Sequence, residues 1–318
     1  EQIVDIMQID LWTRNTTNNT FTEAPYLYAR DTDGDGAEDR YYMIYAAFWR
    51  EALAYSYIDV DSPDGIWEDV WTYGNRLMDP TATSNTNHPA VFDFNGHTYM
   101  IYHNGSLPYG CGYRRVACIA ELEFQNGYIN FVNEYSTGLD GVASKITQDD
   151  TPIGHLYTVN SHDDAYYPIN LPTFWKAESF YENGEEDAMW EIEAAKYVPE
   201  GEDANYYVSI QAYNMAGLYL TYDLTTGKVV ITQDDQRDGT AESDALQARM
   251  SFKTVAGENG GVMFQCVADS DYYLAIIDGE LVVTNTATAA QRTFRVQTQI
   301  ANRSETYAYN EGVTVAQN

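Results

Sequence analysis

Three polar side chains stand at the start or rim of apolar, strand-like segments in the first part of the chain. Glu23 comes directly before an aromatic run, His88 lies in the sequence Thr-Asn-His-Pro, and Arg115 follows Arg114. A β scaffold can present such groups at one end of its strands while the strands themselves are buried. The sequence therefore predicts a site formed by Glu23, His88 and Arg115.

The surroundings of Glu23 favour a general acid over an ordinary solvated carboxylate, which is the alternative. Its aromatic neighbours Phe21, Tyr26 and Tyr28 are expected to exclude water from the carboxyl group. Desolvation disfavours the charged form and raises a carboxyl pKa, as a general acid requires. For His88 taken alone, a capped loop histidine and a ligand are both open.

An acidic loop begins at Asp31 with the sequence Asp-Thr-Asp-Gly-Asp-Gly. The alternating carboxylates of Asp31, Asp33 and Asp35, with glycine at the sixth position, match the first half of a calcium-binding loop. Tyr42 stands where the last ligand, a glutamate, is expected, and no helices are predicted on either side. A calcium-bound hairpin loop and a merely acidic loop therefore both fit. In either case we interpret this loop as structural.

Charge and composition exclude several classes of partner. The formal net charge of -31 at pH 7 would repel nucleic acid and anionic membranes, so neither is expected as a partner. A neutral ligand fits best, and the 28 tyrosines suit sugar-stacking surfaces as well as half-buried strands. Cys111, Cys118 and Cys266 do not make a disulfide framework, and buried thiols are expected. No apolar run is long enough to span a membrane.

Short apolar segments separated by Gly and Asn turns predict an all-β chain. Asn95-Gly96 and Asn126-Gly127 each stand between two such segments, which is typical of tight hairpins. No long amphipathic helix is predicted in the first half of the chain. For residues 1–150 these features favour a propeller or a sandwich.

Residues 151–318 contain a pattern of strand-like pieces that recurs every ~40–55 residues, a period typical of repeated folds. The sequence Tyr-Leu-Thr-Tyr at 219–222 is similar to Tyr-Leu-Ala-Ile at 273–276. A fainter copy ends at residues 189–192. Three four-stranded units of this size predict a β-trefoil, and an ordinary sandwich is the alternative.

Several motifs, in a fixed order, make residues 20–142 resemble glycoside hydrolase family 43. They are Phe-Thr-Glu-Ala-Pro-Tyr-Leu-Tyr, Asn-His-Pro-Ala-Val, Asn-Gly-His-Thr-Tyr-Met-Ile-Tyr-His and Tyr-Arg-Arg-Val-Ala-Cys. Residues 151–318 resemble, more loosely, the arabinofuranose-binding β-trefoil of carbohydrate-binding module family 42. The resemblance implies the later blades of a five-bladed β-propeller, followed by a carbohydrate-binding, trefoil-like domain.

The resemblance also implies an inverting glycosidase acting on a neutral, arabinose-containing plant polysaccharide. Glu23 would be the general acid, His88 would help to hold a metal ion or water at the propeller axis, and Arg115 or Arg114 would contact the sugar. An α-L-arabinofuranosidase is expected, with endo-arabinanase and β-xylosidase left open. The protein is expected to be secreted or extracellular. A non-catalytic carbohydrate-binding protein is the alternative from another class.

One departure from the family pattern concerns the base. The family's base aspartate and the aspartate that tunes the acid lie far ahead of the acid, yet only 22 residues precede Glu23. Asp5 and Asp10 lack the family's Asp-Pro context, so neither role is assigned to them. An open half-propeller would expose sheet faces and edges. We therefore expect a second polypeptide, the separated N-terminal half, to complete the propeller and supply the base.

Overall fold

The computed structural model describes residues 21–47, 51–62, 67–69, 77–108, 110–154, 186–234 and 240–300. These residues form an all-β structure with two short α-helices, as the turn pattern predicts. The chain divides into two compact units, and the division falls near residue 134, ahead of the boundary at 150 that the sequence pattern suggested. The first unit contains 21–104 and 117–133, and the second contains 105–116 and 134–300. None of the described helices is long and apolar enough to cross a membrane.

The first unit is built from two antiparallel meander sheets and a small hairpin. The sheets have the strand orders β1-β2-β3-β4 and β5-β6-β7, and β8 pairs with β9. The strands are β1 (Phe21–Arg30), β2 (Arg40–Ala47), β3 (Ala52–Asp59), β4 (Glu68–Asp69), β5 (Ala90–Phe94), β6 (His97–Asn104), β7 (Val116–Leu122), β8 (Phe124–Gln125) and β9 (Tyr128–Ile129).

Both predicted Asn-Gly hairpins are present. Asn95 and Gly96 join β5 to β6 with φ angles of 53° and 81°, and Asn126 and Gly127 join β8 to β9 with 52° and 78°. Left-handed conformations at both central residues match the right-handed twist of the flanking strands, and Asn and Gly adopt them at low cost. These turns fix the register of the strands that lead to the site.

The two sheets of the first unit share one aromatic core. Tyr42 and Ile44 of β2 and Met100 of β6 are fully buried in it. The Tyr28 hydroxyl donates a hydrogen bond to Asp93 Oδ1 (2.9 Å) and so links β1 to β5. Burial raises the pKa of Tyr42 to about 12, because the phenolate is poorly solvated there. The core therefore fixes β1, which carries the predicted acid, against β5, which begins two residues after the predicted histidine.

The second unit contains eleven strands and the two helices. The strands are β10 (Val142–Gln148), β11 (Thr151–Pro152), β12 (Met189–Ala194), β13 (Tyr207–Ala212), β14 (Leu218–Tyr222), β15 (Val229–Gln233), β16 (Ser251–Ala256), β17 (Val262–Cys266), β18 (Tyr273–Ile277), β19 (Glu280–Thr284) and β20 (Arg295–Ile300). The helices are α1 (Ala241–Arg249) and α2 (Ala289–Arg292), and 3₁₀ turns lie at Glu186–Ala188, Ala204–Tyr206 and Glu258–Gly260.

Six of these strands close into a ring. Neighbours pair antiparallel in the order β10, β12, β13, β16 and β17, and β20 pairs with β10. A bridge between Val262 and Phe294 joins β17 to the segment entering β20 and completes the ring. Closure pairs each of these six strands with a neighbour on both sides.

Two copies of one chain path build most of this ring. The path β13, β14, β15, α1, β16 is repeated as β17, β18, β19, α2, β20. The hairpins β14–β15 and β18–β19 branch from the ring at matching positions. A six-stranded ring with repeated hairpins is the trefoil-like arrangement that the sequence repeat predicts. The middle of the faintest copy, 155–185, lies outside the described residues.

Candidate functional site

A bulge in β1 presents Glu23 to solvent. Glu23 pairs with Ala46 of β2, and the register between the two strands shifts on both sides of this pair. The next residue, Ala24, has a left-handed backbone with φ = 54°, which is unusual for an alanine. Bulges of this kind redirect a side chain away from the regular pleat. The Glu23 side chain is 50% exposed.

The expected desolvation of Glu23 by its aromatic neighbours is wrong. The Tyr26 hydroxyl donates to the backbone carbonyl of Val91 (2.7 Å), and Tyr28 is buried in the core of the first unit. Both rings therefore pack towards β5, away from the bulge that carries the half-exposed carboxyl group. Alternation along β1 places Tyr26 and Tyr28 on the same face of the strand. The side chain of Phe21, the third predicted neighbour, lies outside the described part of the structure.

His88 lies against Glu23, as the sequence predicts for this pair. His88 Nε2 is 3.0 Å from Glu23 Oε1, within hydrogen-bond distance. The imidazole also packs edge-on against His103, with ring centroids 5.2 Å apart, and the His88 backbone N–H donates to His103 Nδ1 (3.4 Å). The ring is thus held from two sides while 41% of its side chain remains exposed.

A second carboxylate, missed by the sequence analysis, completes the cluster. Glu51 lies just before β3, and its side chain is only 5% exposed. Its Oε2 accepts a hydrogen bond from the Asn87 backbone N–H (2.5 Å) and lies 3.7 Å from His88 Nε2. Glu51 also has a left-handed backbone with φ = 53°. A buried charged residue in this conformation costs free energy, and such costs often accompany functional sites.

The Glu23–Glu51–His88 cluster gathers one imidazole nitrogen and two carboxylate oxygens. One ligand atom from each residue lies within 4.8 Å of the others. The cluster combines an exposed acid, a buried acid and an imidazole that reaches both. This arrangement can hold a proton at a defined oxygen or hold a cation.

The acidic loop between β1 and β2 gathers different carboxylates from those predicted. Asp31, Asp33 and Asp39 bring ligand oxygens within 4.8 Å of one another, and Asp35 is not in this group. Asp35 Oδ1 instead accepts from the backbone N–H of Ala37 (2.7 Å). The loop therefore contains an oxygen cluster at the predicted place with Asp39 as a member.

Backbone amides already engage two of these carboxylates. Asp31 accepts from the N–H groups of Gly34 (2.6 Å) and Gly36 (2.8 Å), and Asp39 Oδ2 accepts from the backbone N–H of Thr32 (2.6 Å). The bonds from Gly36 and then Gly34 hold the pKa of Asp31 below its ordinary value. The backbone and side-chain bonds of Thr32 do the same for the pKa of Asp39. Each carboxylate therefore stabilises the conformation of the loop through these hydrogen bonds.

Arg114 and Arg115 are exposed residues of the second unit. Arg114 forms a backbone bridge with Cys111. The three cysteines are not in disulfides, as expected, but only Cys266 is buried. Cys111 is exposed and Cys118 is half-buried, so the prediction of buried thiols is wrong for these two.

The two repeated hairpins of the second unit each contribute a tyrosine that pairs with a glutamine of the ring. Gln211 pairs with Tyr219 in one copy, and Gln265 pairs with Tyr273 in the other. A cation covers each ring: Lys196 Nζ lies 4.3 Å from the centroid of Tyr219, and Arg292 Cζ lies 4.6 Å from that of Tyr273. Burial raises the pKa of Tyr219 well above its ordinary value. Tyr273 is only partly buried, so the Gln265–Tyr273 pair is the more accessible of the two.

Comparison with known proteins gave partial structural overlaps only. Neither the family models nor the curated proteins matched the chain. A GH43_1 enzyme from Xanthomonas citri complexed with xylose is 23% identical over 36% of this chain and 30% of its own length, with a TM-score of 0.30. An arabinofuranosidase complexed with arabinofuranosyl-α-1,2-xylobiose is 12% identical over 88% of this chain and 67% of its own, with a TM-score of 0.36.

The BEL β-trefoil is 11% identical over 53% of this chain and 100% of its own length, with a TM-score of 0.33. The chain spans about a third of the length of the first glycosidases it overlaps, 31% and 30%. Overlaps with TM-scores of 0.30 to 0.36 assign neither a family nor an activity to this chain.

Proposed function

We propose that this chain belongs to an inverting glycoside hydrolase that releases α-L-arabinofuranosyl groups from neutral plant cell-wall polysaccharide. The observation that carries the proposal is the 3.0 Å contact between His88 Nε2 and the half-exposed Glu23 carboxyl group. A general acid must be reachable by the glycosidic oxygen and held in one orientation, and Glu23 meets both conditions. The sequence motifs that resemble family 43 support a sugar substrate, and the trefoil-like unit favours arabinose.

In this proposal Glu23 protonates the leaving glycosidic oxygen. The contact with His88 fixes the rotation of the carboxyl group, because it holds one of its two oxygens. His88 is in turn held by His103 through the backbone contact of 3.4 Å. Arg115 and Arg114 are proposed to contact the sugar.

Glu51 does not have the geometry of the base. An inverting mechanism places its two carboxyl groups roughly 6.5–9.5 Å apart so that a water molecule fits between them. Ligand oxygens of Glu51 and Glu23 lie within 4.8 Å, and the Glu51 side chain is 5% exposed. We therefore propose that the base aspartate comes from a second polypeptide that carries the first blades of the propeller.

The second unit is proposed to bind the polysaccharide. The Gln265–Tyr273 pair supports this role, because amide groups and aromatic rings are common partners of neutral sugars, whereas Gln211 and Tyr219 are buried. Of these, Gln265 and Tyr273 are the more accessible. The same observation favours a second candidate function, a carbohydrate-binding protein without hydrolytic activity.

Calcium and an extracellular location complete the proposal. Oxygens of Asp31, Asp33 and Asp39 lie within 4.8 Å, and calcium prefers clustered oxygen ligands. The ion would have a structural role in the loop between β1 and β2. Extracellular calcium is abundant enough to fill even weak sites of this type.

The test uses the protein purified from its native source, with any partner chain attached, and arabinan or arabinoxylan as substrate. Proton NMR of the first product should show β-arabinofuranose released from α linkages, and Glu23→Gln should abolish the release while the exposed-loop control Glu38→Gln should not. Retention of configuration would contradict the inverting mechanism, and release of xylose alone would contradict the arabinose assignment. Sugar binding by a single 35.9 kDa species without hydrolysis would favour the binding protein.

A further inference from the structure

We propose that Gln265, Tyr273 and Arg292 of the second unit bind the carboxylate of a uronic acid residue on the polysaccharide. This site rests on the proposed sugar-binding role of the second unit and adds a substrate class to it, namely a largely neutral chain that carries occasional carboxylated sugars. The two repeated hairpins differ in one respect that leads to this ligand. Carboxylates of β12 engage the Gln–Tyr pair of the first hairpin, β14–β15, and the strand beside the second hairpin, β18–β19, lacks them.

Two glutamates of β12 satisfy the polar groups of the first hairpin. Glu191 lies opposite Gln211 in the strand register, and its Oε2 accepts from Gln211 Nε2 (2.9 Å). Glu193 binds Lys196 Nζ (2.9 Å), the cation that covers the ring of Tyr219. Burial, followed by the charge of Glu193 and its hydrogen bond with the hydroxyl, raises the pKa of Tyr219. The amide, the hydroxyl and the cation of this hairpin are therefore all engaged within the protein.

The corresponding strand beside the second hairpin, β16, carries neither glutamate. The residue opposite Gln265 is Lys253, and Val255 lies two positions further along the strand. The equivalent positions of β12 hold the two glutamates of the first hairpin. Lys253 Nζ is paired with Glu202 Oε2 (2.8 Å), so its charge is compensated. The second hairpin thus repeats the glutamine, the tyrosine and the cation of the first without its carboxylates.

Arg292 and Tyr273 keep donor groups for a ligand. Arg292 stacks on the ring of Tyr273, and its Nε is buried with no hydrogen-bond partner in the described part of the chain. The Tyr273 hydroxyl accepts from Gln265 Nε2 (2.9 Å), which leaves its own proton to be donated. Gln265 Nε2 also donates to the backbone carbonyl of Ser270 (2.7 Å), so the amide is fixed. All three side chains are only partly buried, and a ligand can reach them.

A carboxylate fits these donors better than a neutral sugar does. A guanidinium is a planar fork that matches carboxylate geometry, and its hydrogen bonds to a charged acceptor are stronger than those to a neutral one. In the first hairpin the carboxylate of Glu193 already joins a cation and a tyrosine in this way. The net charge of -31 and the exposed Asp269 and Asp271 nearby disfavour a densely charged chain. One uronic acid on a largely neutral chain meets both conditions.

The test measures binding of the native, assembled protein to two matched polysaccharides by calorimetry. One is an arabinoxylan that carries glucuronic acid, and the other is the same polymer after its carboxyl groups are reduced to alcohols. The wild type should bind the acidic polymer about 10-fold or more tightly, the order expected for hydrogen bonds to a charged group. Arg292→Gln should abolish this preference and leave the affinity for the reduced polymer unchanged. The matched control is Arg295→Gln, at an exposed arginine of β20, which should keep the preference.

Val255→Glu provides a second variant that leaves Arg292 in place. It introduces a carboxylate at the position that Glu193 has beside the first hairpin, and the Val255 side chain is only partly buried. The new carboxylate should occupy the place of the ligand carboxylate. We therefore expect this variant, like Arg292→Gln, to bind the acidic and the reduced polymer equally.

Equal affinity of the wild type for the two polymers would overturn the uronic acid site and leave the proposed sugar binding standing. Binding to neither polymer would overturn the sugar-binding role of the second unit together with the site. A preference that survives in both Arg292→Gln and Val255→Glu would also overturn it. Competition by inorganic sulfate but not by free glucuronate would show a general anion site and contradict the uronic acid assignment. None of these outcomes depends on hydrolysis, so each is distinct from a failure of the acid role of Glu23.

Discussion

The Glu23–Glu51–His88 cluster and the Asp31–Asp33–Asp39 cluster both lie in the first unit but are built in different ways. The acidic loop draws its three carboxylates from nine consecutive residues, all partly or fully exposed. The other cluster joins residues from three separate segments and includes a carboxylate that is 5% exposed.

The hydrogen bonds of the two clusters differ in the same way. In the loop, Asp31 and Asp39 accept from backbone amides of their own loop, so these carboxylates shape the local chain. At the site, Glu51 accepts from Asn87, which is 36 positions away, and His88 reaches Glu23 across 65 positions. We infer a structural role for the carboxylates that bond within their own loop, and we propose that those from distant segments act on a ligand.

The largest expected effect on stability comes from the buried member of the site. Glu51→Ala removes the oxygen that accepts from the Asn87 backbone N–H, so the free energy of unfolding should fall by about 1–3 kcal/mol. Asp35→Asn, in the exposed loop, should change it by less than about 0.5 kcal/mol. Urea denaturation of both variants measures the difference. Equal effects would show that burial does not distinguish the two clusters.

A smaller effect is expected from the backbone of the bulge. Ala24 holds a left-handed conformation, which costs an alanine about 1–2 kcal/mol, so Ala24→Gly should stabilise the protein by up to about 1 kcal/mol. Gly36 has φ = 94° in the acidic loop with no atom near its missing Cβ, so Gly36→Ala should destabilise through backbone strain alone. Thermal denaturation gives both values. Destabilisation by Ala24→Gly would mean that the bulge is unstrained.

The smallest expected effect is a local response of the acidic loop to pH. The folded-state pKa values of Asp31 and Asp39 are lowered, so their contribution to loop stability is present above the unfolded pKa, near 3.8. It is lost as the pH falls through the lower folded values. Hydrogen exchange of the Thr32 and Gly36 backbone amides should therefore accelerate only below that pH. The reference is the exchange rate of a loop that lacks these hydrogen bonds. Asp39→Asn should remove this pH dependence at Thr32. An unchanged pH profile of exchange would contradict a role for the Asp39 carboxylate in holding the loop.

The sequence allowed prediction of features that depend on neighbouring residues. The hairpins at Asn95-Gly96 and Asn126-Gly127 are specified by two residues whose conformations are local, and the all-β class follows from such turns. The repeat in the second unit is visible because the equivalent strands keep similar residues. A site of Glu23, His88 and Arg115 was predicted from their positions at strand starts, and of these three the structure shows Glu23 and His88 in contact.

Features that depend on long-range packing could not be predicted in the same way. Glu51 follows Phe-Trp-Arg in the sequence, where no motif marks it, and only the folded structure brings it to Asn87. Asp39 replaces Asp35 in the loop cluster because the chain turns back at β2, which the spacing of carboxylates does not reveal. Tyr26 and Tyr28 turn away from Glu23 because their hydroxyl groups bond to β5, a contact between strands that are 65 positions apart.

The most direct measurement of the central claim compares Glu23→Gln with wild type on aryl arabinofuranosides of increasing leaving-group acidity. A general acid matters when the leaving group needs a proton, so the variant should lose about 10²–10⁴-fold in kcat/KM on poor leaving groups and little on dinitrophenolate. That steep dependence is the result we predict for the native, assembled protein. An equal loss on every leaving group, or no loss at all, would contradict the assignment of Glu23 as the acid.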